Sequence, residues 1–395
     1  MQTKKPSAQR WKILAVSYLN IVAFALVFQS LSPVLDLIIA DIGLSHAEAG
    51  ALMSYFALPG ILISIPAGVL IDRYGARNVG LASLLLMTAG SVLTILGRSF
   101  VALAVGRAVA GTGAFALTIA LTQLISLWFK DRELGRAMGV FNTGMPLGTI
   151  IALNTLGVIG RAYGWEISLS LSTAFSLLAL TAFFFVTRVP PRVAMQEQQA
   201  PITLADMSGM ARLGAGIWLA GLAWLWANAA GISYLTFGTD YFLSQGENAA
   251  TAGLLTSFLM MGSLVFSPAV GFMLDRGWSQ KTMIIVGSGC VSILYLLIPR
   301  MPSSAYLLTV LLGIAVALIP VSVFSLPARI LPLHKIGVGF GIISACLNVG
   351  IMIGPCVVGL ARDMFGGYQT GFVMMSLFGL ASLLSIVPLK LKGHS

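Results

Sequence analysis

Only 9% of this 395-residue chain is charged, so each charged group in an apolar setting stands out. Arg107 is the sharpest case, because it lies inside the apolar run 100–127. A guanidinium is permanently charged and presents a planar fork of donors that can hold a carboxylate or similar oxyanion through two parallel bonds. No acidic residue falls at the centre of an apolar run to pair with it. Two readings follow: Arg107 grips a small anion, or it bonds backbone carbonyls and polar side chains and fixes its own segment. Arg107, Gly111 and Thr118 share one face of a helix by their three-to-four spacing.

Weaker candidates surround it. Asn20, Gln29, Asn228, Tyr234, Ser322 and Ser325 are polar residues in apolar runs, where helix-to-helix bonding is the commoner use and ligand contact the rarer one. Phe28 and Trp224, with Phe24 and Trp226, are able to wall a cavity around the apolar part of a ligand. Enzymatic work requires a nucleophile and base, or a metal cluster, and neither pattern occurs, so no enzyme, cofactor or metal is expected. Cys290, Cys346 and Cys356 lack the spacing of a metal clip or disulfide framework and read as buried thiols.

These residues are positioned by an unusual scaffold. With 57% hydrophobic residues and a mean hydropathy of +0.94, the chain is too apolar for a water-soluble domain. About twenty apolar residues span a bilayer as a helix, and twelve such stretches occur, near 13–37, 47–70, 78–97, 100–127, 136–159, 165–187, 213–238, 250–273, 282–299, 303–328, 337–360 and 368–389. An all-α membrane protein is therefore expected. The connection 188–212, rich in Pro and Gln, divides it into an N-terminal bundle, 1–187, and a C-terminal bundle, 213–395.

Charge sets the orientation. Eighteen of the 23 Lys and Arg residues fall on the side of the N-terminus, four on the other side (Arg98, Arg161, Arg300 and Arg362), and only Arg107 within a span. Because basic loops stay in the cytoplasm, both termini are expected there, with the protein multi-pass in the inner (plasma) membrane. The net charge of +10 follows from this topology and not from a nucleic-acid-binding stripe. His46, His334 and His394 all lie in connections or tails, and Asp36, at the outer end of the first span, is the one outlying carboxylate for a proton relay.

The chain also repeats itself. Gly68-Val-Leu-Ile-Asp72-Arg73 recurs as Gly271-Phe-Met-Leu-Asp275-Arg276, 203 residues on, and Asn142-Thr-Gly144 with Gly148 recurs as Asn348-Val-Gly350 with Gly354, 206 residues on. Two matches at nearly one offset indicate a six-plus-six duplication, a construction common among membrane carriers.

The stretch Gly68 to Arg77, the run Arg107-Ala-Val-Ala-Gly111-Thr-Gly113, and the Gly/Pro segments Gly144-Met-Pro146-Leu-Gly148 and Gly350 to Pro355 resemble signatures of the major facilitator superfamily. The resemblance covers about residues 11–390, departs at Ala76 where a basic residue is usual, and lacks the full antiporter glycine pattern. Within the superfamily it is nearest the cyanate and nitroimidazole transporter-like group or the organic-anion carriers.

It implies two pseudo-symmetric six-helix bundles rocking by alternating access around a small solute, with spans 1, 4, 7 and 10 lining a cavity. Spans 2, 5, 8 and 11 would form the interface, and 3, 6, 9 and 12 would face lipid. Combined with the lone Arg107, it points to an anionic substrate moved by a monomer in the bilayer, with a coupled proton or counter-substrate. Asp72, Arg73 and Arg77, with Asp275 and Arg276, would form a gate latch; Gly68, Asn142, Gly144, Pro146, Gly148, Asn348, Gly350 and Gly354 would serve packing and bending. Export of apolar drugs is the alternative on the same fold, and a non-transporting receptor the alternative of another class.

Overall fold

The computed structural model describes residues 8–129, 132–187, 214–332 and 336–389. Within a bilayer core every backbone N–H and C=O must be paired internally, and the described residues are accordingly helical: α1 (Ala8–Gln29), α2 (Leu35–Ile42), α3 (His46–Tyr74), α4 (Ala76–Leu96), α5 (Phe100–Trp128), α6 (Arg132–Asn142), α7 (Gly144–Tyr163) and α8 (Trp165–Val186). After the linker come α9 (Ala215–Ser244), α10 (Ala249–Asp275), α11 (Gln280–Leu297), α12 (Ala305–Ser325), the short α13 (Pro327–Ile330), α14 (Ile336–Phe365) and α15 (Tyr368–Ile386). The linker 188–212 lies outside the described residues.

Local chemistry sets the helix ends. Ser45, Ser99, Asn248 and Ser279 cap α3, α5, α10 and α11, each accepting a backbone N–H three residues on, which satisfies a donor the helix itself leaves unpaired. Gly75 and Gly277 close α3 and α10 at φ 83° and 93°, and Gly164 and Gly366 occupy matching turns at φ 94° and 71°. Each pair is 202 residues apart, so the duplication read from the motifs reaches the turns as well.

Among the described residues eleven helices are long and apolar enough to span, and α3, bent by 60° between Ile63 and Pro66, makes a twelfth. A proline inside a helix removes one ladder bond and crowds the preceding turn. Two spans differ from their sequence outlines. The first is broken, since α1 stops at Gln29 and a 3-10 turn, Ser32–Val34, precedes α2. Pro33 lies in that turn and, without an N–H, cannot continue the α1 ladder. The fifth is broken at Thr143, with Pro146 in the first turn of α7, where its missing N–H costs nothing; Pro146 thus marks a helix start and not a bend inside one.

The helices form two bundles. In the first, α1 packs on α5, α7 and α8, α4 on α5 and α8, and α3 on α5; in the second, α9 packs on α10, α14 and α15, α12 on α10 and α11, and α11 on α15. Between them α3 meets α14, α7 meets α10, and α9 meets the turn after α1. Those are spans 2 with 11 and 5 with 8, as the family resemblance implied. Leu85, Leu96, Leu178, Phe185, Ile293 and Leu384 are exposed on α4, α8, α11 and α15, a pattern that lipid covers. Cys290 on α11 is likewise exposed, which corrects its reading as a buried thiol.

Candidate functional site

Arg107 is the largest fully buried side chain of the described residues, at 1% exposure. Its bonds explain its presence. The last four carbonyls of any α-helix lack partners within the helix, and α1 ends at Gln29. Arg107 Nη1 donates to the Val27 carbonyl and Nη2 to the Phe28 carbonyl, both at 2.9 Å, while Nε donates to Leu52 of α3 at 3.3 Å. Nη2 also lies 3.4 Å from the Met53 sulfur. The guanidinium stands 4.3 Å from the Phe56 ring centroid, a favourable cation–π distance, and faces the negative end of the α1 dipole. Beside it a chamber of about 10 Å³ is lined by Ser30, Ser91, Thr94, Ser172 and Thr173, room for a single water.

Arg107 therefore caps the broken end of α1 and ties it to α3. All of these partners are neutral, and among the described residues no carboxylate pairs with it. Phe28 contributes its carbonyl to that cage and its ring to a cluster with Phe24 and Phe56.

The other sequence candidates divide by the surface they serve. Asn20 donates to Val16 and to Ala179 of α8, inside the first bundle. Tyr234 is wholly buried inside the second, its hydroxyl donating to the Leu255 carbonyl at 3.1 Å among the rings of Tyr295 and Phe372. Neither shares a space with Arg107. Thr118, Ser322 and Ser325 bond carbonyls of their own helices. Trp224 sits edge-on to Phe324, which stacks on Phe340, and Asn228 donates to the Trp224 carbonyl. Gln29 reaches across the bundles, donating to the Leu235 carbonyl of α9 at 2.8 Å.

The repeated Gly segments do one job twice. A Cβ on Gly144 or Gly148 of α7 would press into Ile21, Val22 and Ala25 of α1, and a Cβ on Gly350 or Gly354 of α14 would press into the Leu225 and Ala229 backbone of α9. These glycines bring the first and fifth spans of each bundle into close contact. Asn142 is exposed and Asn348 buried, so this repeated pair occupies two different environments.

Contact between the bundles is concentrated at one end, made by residues the sequence had placed only in connections or spans without a role. Cβ atoms on Gly50, Gly253 and Gly359 would overlap the backbones of Pro355, Leu153 and His46 of the opposite bundle. Asn154 donates to Ser257 at 2.9 Å, Ser54 to the Met352 carbonyl, and Asp363 of α14 holds the first turn of α3. At the other end no such close glycine contact joins the same four spans among the described residues. A Cβ on Gly68, Gly139, Gly271 or Gly341 would meet nothing within 4 Å. Asp72 and Asp275 are exposed there and pair with no described residue; Arg73 and Arg276 lie over Tyr74 and Phe272, and Arg77 bonds the Thr187 and Phe184 carbonyls. The expected latch residues thus lie at this end and, among the described residues, make no contact between the bundles.

Comparison with known proteins identifies the family and the fold. The family model of the Major Facilitator Superfamily matches residues 18–249 and 228–394. The nitrite extrusion protein of Bacillus subtilis is 24% identical over 380 residues, 95% of this chain and 93% of that protein. The lysosomal dipeptide transporter MFSD1 of Danio rerio is 22% identical over 364 residues, 88% and 78% of the two chains. Among solved structures, the nucleoside transporter NupG superposes with a TM-score of 0.81 at 14% identity, covering 96% of this chain and 99% of that one. A bacterial homologue of the lysosomal transporter Spinster, in an inward-facing and unoccupied conformation, gives 0.78 at 16% identity, covering 98% and 95%. The matched family model spans nearly the whole described fold, and the chain belongs to the Major Facilitator Superfamily.

Proposed function

We propose that the protein is a secondary transporter carrying a small anion across the inner membrane by alternating access, its N-terminal bundle (1–187) rocking against its C-terminal bundle (213–395). The observation that carries the reading is the one-sided joining of the bundles: close glycine contacts weld one end, while the latch residues at the other stand apart. The Lys and Arg census supports a cytoplasmic location for the open end and both termini, and on that reading this is the inward-open arrangement.

The anionic cargo is supported by Arg107. Its partners are neutral dipoles and, among the described residues, no carboxylate neutralises it, so its field favours an anion in the space between the bundles. Relatives named as nitrite extrusion, hexuronate and probable sulfoacetate transporters fit the same chemistry.

The test is uptake into proteoliposomes of nitrite, a hexuronate, sulfoacetate, a neutral dipeptide and a cationic dye, with and without a pH gradient. Saturable uptake of at least one anion and none of the dye is expected. Transport of the dipeptide or dye alone overturns the anion assignment, and binding without flux overturns transport.

A further inference from the structure

The first turn of α3 is satisfied from two bundles. A helix start leaves four backbone N–H groups without acceptors. Within its own bundle, a capping box answers two of them: Glu48 N–H donates to Ser45 Oγ at 3.1 Å, and Ser45 N–H donates to Glu48 Oε2 at 2.9 Å. The remaining two, on His46 and Ala47, donate to the Asp363 carboxylate at 3.0 and 2.7 Å. Asp363 stands on α14 in the other bundle, where a negative charge also meets the positive end of the α3 dipole.

The same carboxylate lies 2.9 Å from His46 Nδ1, and Asp240 of α9 lies 3.9 Å from His46 Nε2. The imidazole is thus placed between two carboxylates of the opposite bundle. The other charged and titratable groups nearby are engaged. Glu48 serves the cap; Arg362 pairs with Asp240 at 2.7 Å; Tyr368 of α15 bonds both Asp240 and Arg362; Asp36 of α2 pairs with Arg161 of α7. A neutral imidazole carries one N–H and can donate to one of the two carboxylates. The imidazolium carries two, with a positive charge between them.

We propose that His46, Asp363 and Asp240 form an acid-strengthened latch on the closed end, taking a proton from the medium that this end faces. Asp363 supplies the part of the grip that persists at every pH at which it is ionised. His46 supplies the variable part. The charge of the imidazolium meets both carboxylates only when the bundles meet, 2.9 Å from Asp363 and 3.9 Å from Asp240, so acid favours closure. The latch rests on the alternating-access reading, since it has meaning only if this end opens.

The experiment uses the full chain in lipid nanodiscs, spin-labelled at Ala40→Cys and Gln245→Cys, both exposed at the closed end, with the three native cysteines changed to alanine. Lowering the pH from about 8 to about 5.5 brackets imidazole titration, and the short-distance population of the parent should rise several-fold. His46→Gln should hold one population at both values. Asp363→Asn should show more of the long distance at both, and Asp240→Asn a reduced pH response, with thermal melts confirming that each variant is folded. A parent population indifferent to pH, or a His46→Gln protein that keeps the parent's response, overturns the latch. If transported solute shifts the distance while pH does not, the latch alone fails; if neither shifts it, alternating access fails with it.

Discussion

Gly253 of α10 and Leu153 of α7 touch across the two bundles with no side chain between them, and a Cβ at 253 would overlap the Leu153 carbonyl oxygen. The contact exists only while this end is shut. Gly253→Val is therefore expected to wedge the end open, cutting solute flux about tenfold or more, because displacing packed backbone costs about 1–3 kcal/mol, roughly a factor of ten in population per 1.4 kcal/mol. Label distances across the closed end, measured beside uptake, check it. Unchanged distances would contradict the assignment.

Gly350→Val and Gly148→Val should behave differently, since their contacts lie within a bundle and persist in every stage of a rocking cycle. Overpacking there is expected to lower thermal stability by about 1–3 kcal/mol without redistributing the distances across the closed end. Melting in detergent together with the same distance measurement separates the two classes of glycine.

Arg107 offers a test of charge against geometry. Arg107→Gln leaves acceptors on α1 short of donors, at about 1–3 kcal/mol for each one left unpaired, and removes the positive field. Arg107→Lys keeps the charge but reaches fewer carbonyls. Both variants are expected to melt lower than the parent; only Gln is expected to lose preference for anions over neutral analogues in a competition uptake assay. Equal anion preference in all three would remove Arg107 from the selectivity argument.

Asp72 is exposed at the open end and pairs with no described residue, so Asp72→Asn is expected to leave thermal stability within about 0.5 kcal/mol. Its effect should appear in turnover, slowed several-fold, if the carboxylate engages when that end shuts. A stability loss with normal turnover would argue for an anchoring role.

The residues explain what could be read from order alone. Twelve apolar runs, two basic sides and two repeats at nearly one offset dictate a helical membrane protein in matching halves, because each signal is local or periodic. Arg107 was conspicuous by its cost in lipid, yet its partners are carbonyls, which have no signature in a sequence; the nearest clue was Pro33, a sign that α1 must end and leave carbonyls bare. His46, Asp240 and Asp363 are 123 or more residues apart along the chain, so nothing in their order signals that the fold brings them together. Tyr234 pointed inward for a reason that periodicity cannot convey, since every face of α9 is apolar and the choice between bundle core and cavity is made by neighbours.

The bend in α3 has a mechanical corollary. At Pro66 the ladder bond that residue 66 would have made to Leu62 is already absent, so changing the angle there sacrifices no hydrogen bond at that position. The half of the helix holding His46 and Gly50 is bolted to the opposite bundle, while the tip at Asp72 and Arg73 pairs with no described residue of that bundle. One continuous span thus behaves as two rods on a hinge. Its charged tip can swing to meet a partner before the bolted portion lets go, which would keep a passage from standing open at both ends.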